Sequence, residues 1–128
     1  MDPIAQMIVS IKNAIQIQNK ETVVPYSIFK ENILNVLKKE KYIEDYKKII
    51  LSHKKFLRIK LKYQDGNSAI QEIKRISTPS RRKYVSKNEI PYILHGFGTV
   101  IVSTSKGIFS GFEAKKAGVG GEIVCEIW

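Results

Sequence analysis

Hydroxyl, lysine and glycine residues that can bind phosphate, sugar and base edges are concentrated near the end of the chain. They form two short segments, Ser103-Thr104-Ser105-Lys106-Gly107 and Gly118-Val119-Gly120-Gly121-Glu122. Hydroxyls and bare backbone amides at strand and helix ends form hydrogen bonds with such groups, and lysine adds positive charge. Glycine lets the backbone approach another surface where a side chain would block it. The two segments therefore predict a binding surface.

Two strands and a short helix are expected to position these segments. The apolar runs Val100-Ile101-Val102 and Ile123-Val124-Cys125 indicate buried strands, over residues 99–104 and 122–128. Between them, Ser110 and Glu113 fit a capping box for a helix over residues 112–117. Gly118 stands where a helix commonly ends in left-handed geometry.

A basic segment precedes these elements. Between positions 74 and 88 the chain has no acidic residue, and its cations are Lys74, Arg75, Arg81, Arg82, Lys83 and Lys87. Ser77-Thr78-Pro79-Ser80 indicates a loop, and Tyr84 follows it, a combination suited to phosphate contact and stacking. A charged run is equally compatible with a solvated face. Residues 69–76 fit a helix or a strand, and a strand is the interpretation adopted.

The first half of the chain predicts the order α-β-α-β-β. Asp2-Pro3 starts a helix with Ile4, Ile8, Ile11 and Ile15 on its buried face, whereas Lys12 and Asn13 lie off that face. Residues 21–24 form a short edge strand that stops at Pro25. Ser27 caps a second helix with Phe29, Ile33, Val36 and Leu37 on its apolar face, and Lys30 is expected on the exposed side. Strands follow at 42–46 and 56–63.

Together these elements predict an α+β fold in two small lobes. The turn at Asp65-Gly66-Asn67 divides an N-terminal lobe, residues 1–66, from a C-terminal lobe, residues 67–128, which is mostly antiparallel β with a short helix. A short turn or helical segment is expected from Asn88 to about Gly96.

Composition points to a polyanionic partner. The chain has 128 residues, of which 43% are hydrophobic, so it can bury a core. It carries 22 Lys and Arg against 12 Asp and Glu, a net charge of +10, which attracts nucleic acid first and anionic membrane second. Cys125 is alone, which excludes an intrachain disulfide and a cysteine metal site. No leader and no membrane-spanning run are recognised, so a soluble protein of a reducing compartment is expected.

The two C-terminal segments, in this order and spacing, resemble the signature of the bacterial-type eighth protein of the small ribosomal subunit. Further similarity covers nearly the whole chain, at Asp2-Pro3-Ile4-Ala5, Lys12-Asn13-Ala14, Asn35-Val36-Leu37-Lys38, Tyr42-Ile43, Arg75-Ile76-Ser77 and Arg82-Lys83-Tyr84. The chain departs from the family at residues 108–112, where Ile108-Phe109-Ser110-Gly111-Phe112 replaces a segment that usually contains an acid and an arginine.

The resemblance implies an α+β protein that binds the central domain of small-subunit ribosomal RNA directly and helps to assemble the platform. It implies RNA contact, mainly through the C-terminal lobe, by Ser103, Thr104, Ser105, Lys106, Gly120, Gly121, Glu122, Arg82 and Tyr84. Lys12, Asn13 and Lys30 would form an N-terminal surface for a neighbouring RNA helix. The implied protein neighbours are the fifth, second and seventeenth proteins of the small subunit. The implied location is a bacterial cytoplasmic ribosome or the ribosome of an organelle matrix, with no cofactor or metal.

Glu122 is an unusual residue to face a polyanion. It either organises the glycine turn or accepts a hydrogen bond from a base or sugar donor.

Three other readings use the same residues. A phosphate-binding enzyme would need a glycine spacing that neither Ser105-Lys106-Gly107 nor residues 118–121 match, and His53 and His95 have no neighbouring ligand pattern. A free RNA-binding translational regulator would use the same surface as the ribosomal protein. A membrane-surface protein would need a basic amphipathic helix, which the sequence lacks. We therefore expect no catalysis, no membrane and no small-molecule substrate.

Overall fold

The computed structural model describes residues 2–91 and 97–128 and confirms the α+β class. Its contacts divide the chain into two compact units, residues 3–70 and residues 71–128 with Asp2. The predicted boundary followed Gly66, whereas residues 67–70 group with the first unit because Asn67 and Ser68 pair with Gln64 and Tyr63. Part of the segment expected from Asn88 to Gly96 lies outside the described residues.

The first unit contains two helices and a three-stranded antiparallel sheet in the order β1-β3-β2, with a small separate hairpin. Its elements are α1 (Pro3–Gln16), β1 (Glu21–Pro25), α2 (Ile28–Lys39), β2 (Ile43–Leu51), β3 (Lys54–Leu61), β4 (Tyr63–Gln64) and β5 (Asn67–Ser68). The predicted α-β-α-β-β order is therefore confirmed, and β1 is the expected edge strand that ends at Pro25.

Alternation along β3 follows the predicted pattern. Leu57, Ile59 and Leu61 are buried, whereas Arg58 and Lys60 are exposed. Successive side chains of a strand point to opposite faces, so one face of β3 joins the core and the other carries cations. The turn at Asp65 and Gly66 has positive φ at both residues, the backbone typical of a tight hairpin.

Helix α2 begins as predicted, but its buried face differs from the predicted one, because Lys30 and Leu34 are buried and Phe29 is only partly buried. The Ser27 hydroxyl accepts a hydrogen bond from the Lys30 amide at 3.1 Å and caps the helix. Ile33, Leu34 and Leu37 are buried, and Lys30 lies on the same stripe at the i, i+3, i+4, i+7 spacing. Lys30 is only 4% exposed, so its predicted exposure is wrong.

Over the described residues 71–91 and 97–128, the second unit is a five-stranded antiparallel sheet with one short helix. Its elements are β6 (Ile73–Arg75), β7 (Tyr84–Val85), β8 (Thr99–Thr104), β9 (Gly107–Ser110), α3 (Gly111–Ala117) and β10 (Gly121–Ile127). Strand β10 pairs with β8 and also with both β6 and β7, and β9 lies outside β8. The strand adopted for residues 69–76 is confirmed only for Ile73–Arg75, and β9 was not predicted.

Helix α3 packs its small buried face against this sheet. Its core contains Ile90, Val100, Val102, Ala114 and Ile123. The predicted capping box is present, because the Ser110 hydroxyl accepts from the Glu113 amide and the Glu113 carboxylate accepts from the Ser110 amide. Gly118 ends the helix with φ 71°, as predicted.

Among the described helices of both units, none is long and apolar enough to cross a bilayer.

Candidate RNA interface

Three predicted site residues from distant parts of the sequence meet on neighbouring strands. Glu122 on β10 pairs with Tyr84 on β7 and with Ser103 on β8. Side chains of directly paired residues lie on the same face of a sheet. Tyr84, Glu122 and Ser103 therefore form a row across the end of the sheet, and Tyr84 is 69% exposed.

The paired glycines allow the strands beside this row to approach closely. A side-chain carbon on Gly120 would overlap the backbone of Val85 and Ser86, and one on Gly121 would overlap the backbone of Ser103. Both positions thus need glycine because another part of the same chain occupies the space. In this structure, the two glycines therefore allow a close approach of the protein's own backbone.

The hydroxyl segment forms the turn between β8 and β9. Thr104 pairs with Gly107, which leaves Ser105 and Lys106 as a two-residue, exposed turn. The Thr104 hydroxyl donates to the Gly107 carbonyl at 2.8 Å and accepts from the Lys106 amide at 3.1 Å. Thr104 therefore has an internal role in the turn, while the exposed positions at its tip carry a hydroxyl and an ammonium group.

The basic loop, residues 77–83, carries an exposed group of cations at Arg81, Arg82 and Lys83. The tip of the loop is closed by two backbone hydrogen bonds, from the Thr78 amide to the Arg81 carbonyl at 3.0 Å and from the Arg81 amide to the Thr78 carbonyl at 3.1 Å. Arg75 differs from the other cations because its side chain is only 14% exposed and its Nε donates to Asp2 Oδ2 at 2.7 Å.

Glu122 connects the sheet to the basic loop. Its Oε2 accepts from the Ser77 hydroxyl at 2.6 Å and from Arg82 Nη1 at 2.9 Å. Partial burial acts to raise the pKa of Glu122, but these two hydrogen bonds and the charges of Arg82 and Arg75 outweigh it, so the pKa lies below its usual value. The carboxylate is thus ionised at neutral pH. Its hydrogen bonds reach the basic loop and not the glycine turn that the sequence suggested.

The three predicted residues of the first unit fall into two groups. Lys12 and Asn13 are exposed on α1, as expected. The Lys30 ammonium, in contrast, donates from Nζ to the Pro25 carbonyl at 3.0 Å, and burial lowers the pKa of Lys30. Lys30 therefore occupies an internal position at the end of β1 and does not form part of the exposed cationic surface.

Ser77 is a residue of the site that the sequence analysis treated only as part of a loop. It is fully buried, with 0% exposure, and it bonds both Glu122 and the Lys83 amide. A single serine in a polar segment carries no signal of such a role. Its position becomes apparent only when β10 brings Glu122 beside it.

Metal and thiol chemistry have little support in the described part of the chain. No group of three or more His, Cys, Asp and Glu residues there could hold a metal ion. Cys125 is buried in β10, and desolvation raises the pKa of its thiol to about 12, so it remains protonated at neutral pH. His95, considered in the sequence analysis, lies outside the described residues.

Comparison with known proteins shows to which family this chain belongs. The model of the family described as Ribosomal protein S8 matches residues 2–128. A small ribosomal subunit protein uS8 of Dictyoglomus thermophilum is 49% identical over 127 residues, covering 99% of this chain and 97% of that protein. The proteins of the same name from Thermus thermophilus and from Coxiella burnetii (strain Dugway) are 44% and 46% identical. They cover 99% and 98% of this chain, and 98% and 97% of their own lengths. The chain belongs to the ribosomal protein S8 family.

Proposed function

We propose that this protein is a structural constituent of the small ribosomal subunit that binds the central domain of small-subunit ribosomal RNA directly and helps to assemble the platform. One observation carries the proposal: strand register places Tyr84, Glu122 and Ser103 in one row, beside the exposed Ser105-Lys106 turn. Membership of the ribosomal protein S8 family supports the same function. Contact is assigned mainly to the second unit, the β-rich RNA-binding lobe.

The chemistry of this surface suits an irregular RNA helix. The major groove of A-form RNA is too deep and narrow for side chains, whereas its minor groove displays 2′-hydroxyls and base edges. Ser105 is small enough to reach that groove, and its hydroxyl both donates and accepts. Tyr84 offers an exposed ring on which an unpaired base can stack. Arg82 and Lys106 bring positive charge to the phosphates, as do the exposed Arg81 and Lys83 of the same basic loop.

A second contact is assigned to Lys12 and Asn13 on α1, which would meet a neighbouring RNA helix. The proposed protein neighbours are the fifth, second and seventeenth proteins of the small subunit. The proposed setting is the ribosome of a bacterial cytoplasm or of an organelle matrix. The proposed role is structural, with no catalysis, cofactor or small-molecule substrate.

Binding to two RNAs of equal length tests this function: a hairpin with the irregular central-domain site and a regular duplex, at one near-physiological salt concentration. We expect the hairpin to bind ~10³-fold more tightly, the low end of the ratios for specific recognition. Ser105→Ala should remove most of that preference without changing the salt dependence, because no charge is lost. Ser10→Ala, the same change on α1 in the first unit, serves as the control.

Equal binding of the two RNAs, unchanged in Ser105→Ala, would mean that charge alone acts and would refute the proposed recognition. A free translational regulator would use the same surface, so RNA binding does not separate it from a ribosomal constituent. Sedimentation of the tagged protein in cell extract does: a ribosomal constituent travels with the small subunits through a salt wash, and a free regulator stays at the top of the gradient.

A further inference from the structure

A fully buried serine lies at the base of the basic loop. The Ser77 hydroxyl donates to Glu122 Oε2 at 2.6 Å and accepts from the Lys83 amide at 3.1 Å. One hydroxyl thus joins the first and last residues of the loop segment 77–83 to each other and to β10. With 0% exposure, Ser77 itself cannot touch RNA.

Backbone hydrogen bonds reinforce this junction. The Ser77 amide donates to the Ile123 carbonyl at 3.1 Å, and the Ile123 amide donates to the Lys83 carbonyl at 2.9 Å. Both ends of the loop are therefore attached to one residue of β10. The Thr78–Arg81 pair closes the tip, so backbone hydrogen bonds hold the loop at its base and at its tip.

Arg82 completes the arrangement. Its Nη1 donates to the same carboxylate oxygen of Glu122 that Ser77 bonds, while its side chain remains 48% exposed. A guanidinium group has five N–H donors, so a bond to Glu122 leaves others that can face a phosphate. The carboxylate holds the guanidinium in place and does not need to meet the polyanion.

We propose that Ser77 and Glu122 are positioning residues, which shape the loop of residues 78–82 before RNA binds and so determine the preference for an irregular site. This inference rests on the proposed RNA-binding function. A loop that is already ordered avoids the conformational cost of being ordered on binding. It also presents Arg82 and Tyr84 at a defined spacing. We expect this spacing to fit the irregular RNA site and not a regular duplex.

Ser77→Ala is the direct test, with Ser80→Ala as the matched control because Ser80 is an exposed serine at the tip of the same loop. Removal of the Ser77 hydroxyl takes an acceptor from the Lys83 amide and a donor from Glu122. We expect hydrogen exchange of the Lys83 amide to accelerate ~10-fold or more, while amides of β8 keep their protection. Preference for the irregular hairpin over the duplex should fall ~10-fold, since a buried hydrogen bond to a charged group is lost.

The salt dependence separates positioning from charge loss. Ser77→Ala removes no cation, so the slope of log K against log salt should equal that of the wild type. A merely structural destabilisation would weaken binding to both RNAs equally and would speed exchange in β8 as well.

Glu122 provides a second pair of variants if Ser77→Ala does not fold. Glu122→Gln keeps a carbonyl acceptor for the Ser77 hydroxyl, whereas Glu122→Ala keeps none. We expect Gln to retain more of the hairpin preference than Ala, with losses of about threefold and about tenfold, and to keep the Lys83 amide protected.

Three outcomes would overturn the inference. The first is a Lys83 amide as protected in Ser77→Ala as in the wild type, and the second is unchanged hairpin preference despite faster exchange. The third is equal loss in Glu122→Gln and Glu122→Ala. A wild type without hairpin preference would instead refute the proposed function, and the exchange data would still report whether Ser77 holds the loop.

Discussion

At the scale of single residues, Lys30 shows that a charged side chain can belong to the interior. Its position on the apolar stripe of α2 places its aliphatic stem among buried residues, and Nζ reaches the Pro25 carbonyl at 3.0 Å. A buried ammonium group lacks most of its hydration, so its neutral form is favoured relative to water. The same residue type on α1, Lys12, is exposed and keeps its proposed contact role.

Lys30→Met should leave RNA binding almost unchanged, because the lost ammonium group lies inside the first unit. We expect the dissociation constant for RNA that includes the neighbouring helix to stay within about twofold of the wild-type value. Lys12→Met is the comparison, since it removes the same group from an exposed position, and it should weaken binding to RNA that includes the neighbouring helix. Equal losses in the two variants would contradict the internal assignment of Lys30.

The same pair gives a pH dependence. Because burial lowers the pKa of Lys30, the folded state binds this proton less well than the unfolded state. Wild-type stability relative to Lys30→Met should therefore rise with pH between the lowered pKa and the usual value of 10.5. Urea unfolding of both proteins across that range measures the difference, and a difference that is flat or falls with pH would contradict the burial.

At the scale of elements, the double glycine at the start of β10 lets this strand lie close to β7 and β8. Gly121 pairs with Val85 and lies against the backbone of Ser103, and Gly120 lies against the backbone of Val85 and Ser86. These contacts set the spacing of the strands that carry Tyr84, Glu122 and Ser103. The double glycine is therefore part of the scaffold of the proposed RNA surface, whatever it does in direct contact.

Gly121→Ala should destabilise the protein by about 1–3 kcal/mol, the usual cost of overpacking, because neighbouring backbone must move. Gly118→Ala is the matched control, since a side-chain carbon there meets open space and only the positive φ of 71° opposes it. That backbone term alone is about 1–2 kcal/mol. RNA preference should fall further in Gly121→Ala than in Gly118→Ala when both are measured well below their unfolding midpoints. Equal RNA preference in the two variants would argue against the strand-spacing role.

At the scale of the whole molecule, a net charge of +10 ensures attraction to any polyanion, so affinity alone says little about recognition. Exposed cations occur in both units, for example Arg81 and Lys83 in the basic loop and Lys47 and Lys54 in the β2–β3 hairpin. Under the proposed function, the cations of the basic loop contact phosphate directly and so release counterions from the RNA, whereas those of the β2–β3 hairpin do not.

Two double variants with the same net charge separate contact from general attraction. Arg81→Gln with Lys83→Gln should reduce the slope of log K against log salt by about 1.4–1.8, at about 0.7–0.9 for each phosphate contact. Lys47→Gln with Lys54→Gln should change that slope much less on the minimal hairpin. Equal reductions in both double variants would show that the basic loop acts only through the overall charge.

Features that depend only on residues close together along the chain follow from the sequence alone. Local periodicity predicts the alternation along residues 57–61 and the buried Ile4, Ile8 and Ile11 of α1, although Ile15 of the same stripe is only partly buried. Local hydrogen bonding predicts the Ser110–Glu113 capping box, and the type of residue predicts the Gly118 helix end. The signature segments also sufficed to place the chain in its family. Strand β9 was missed because Gly107–Ser110 is short and follows a two-residue turn without a typical hairpin dipeptide.

Which distant residues come into contact depends on the packing of the folded chain. The row of Tyr84, Glu122 and Ser103, and the contact of Ser77 with Glu122, depend on the register of β10 against two other strands. Register is a property of the packed sheet, in which residues 45 positions apart come within hydrogen-bond distance. The burial of Lys30 has the same origin, because a stripe of a helix becomes interior only when a sheet covers it.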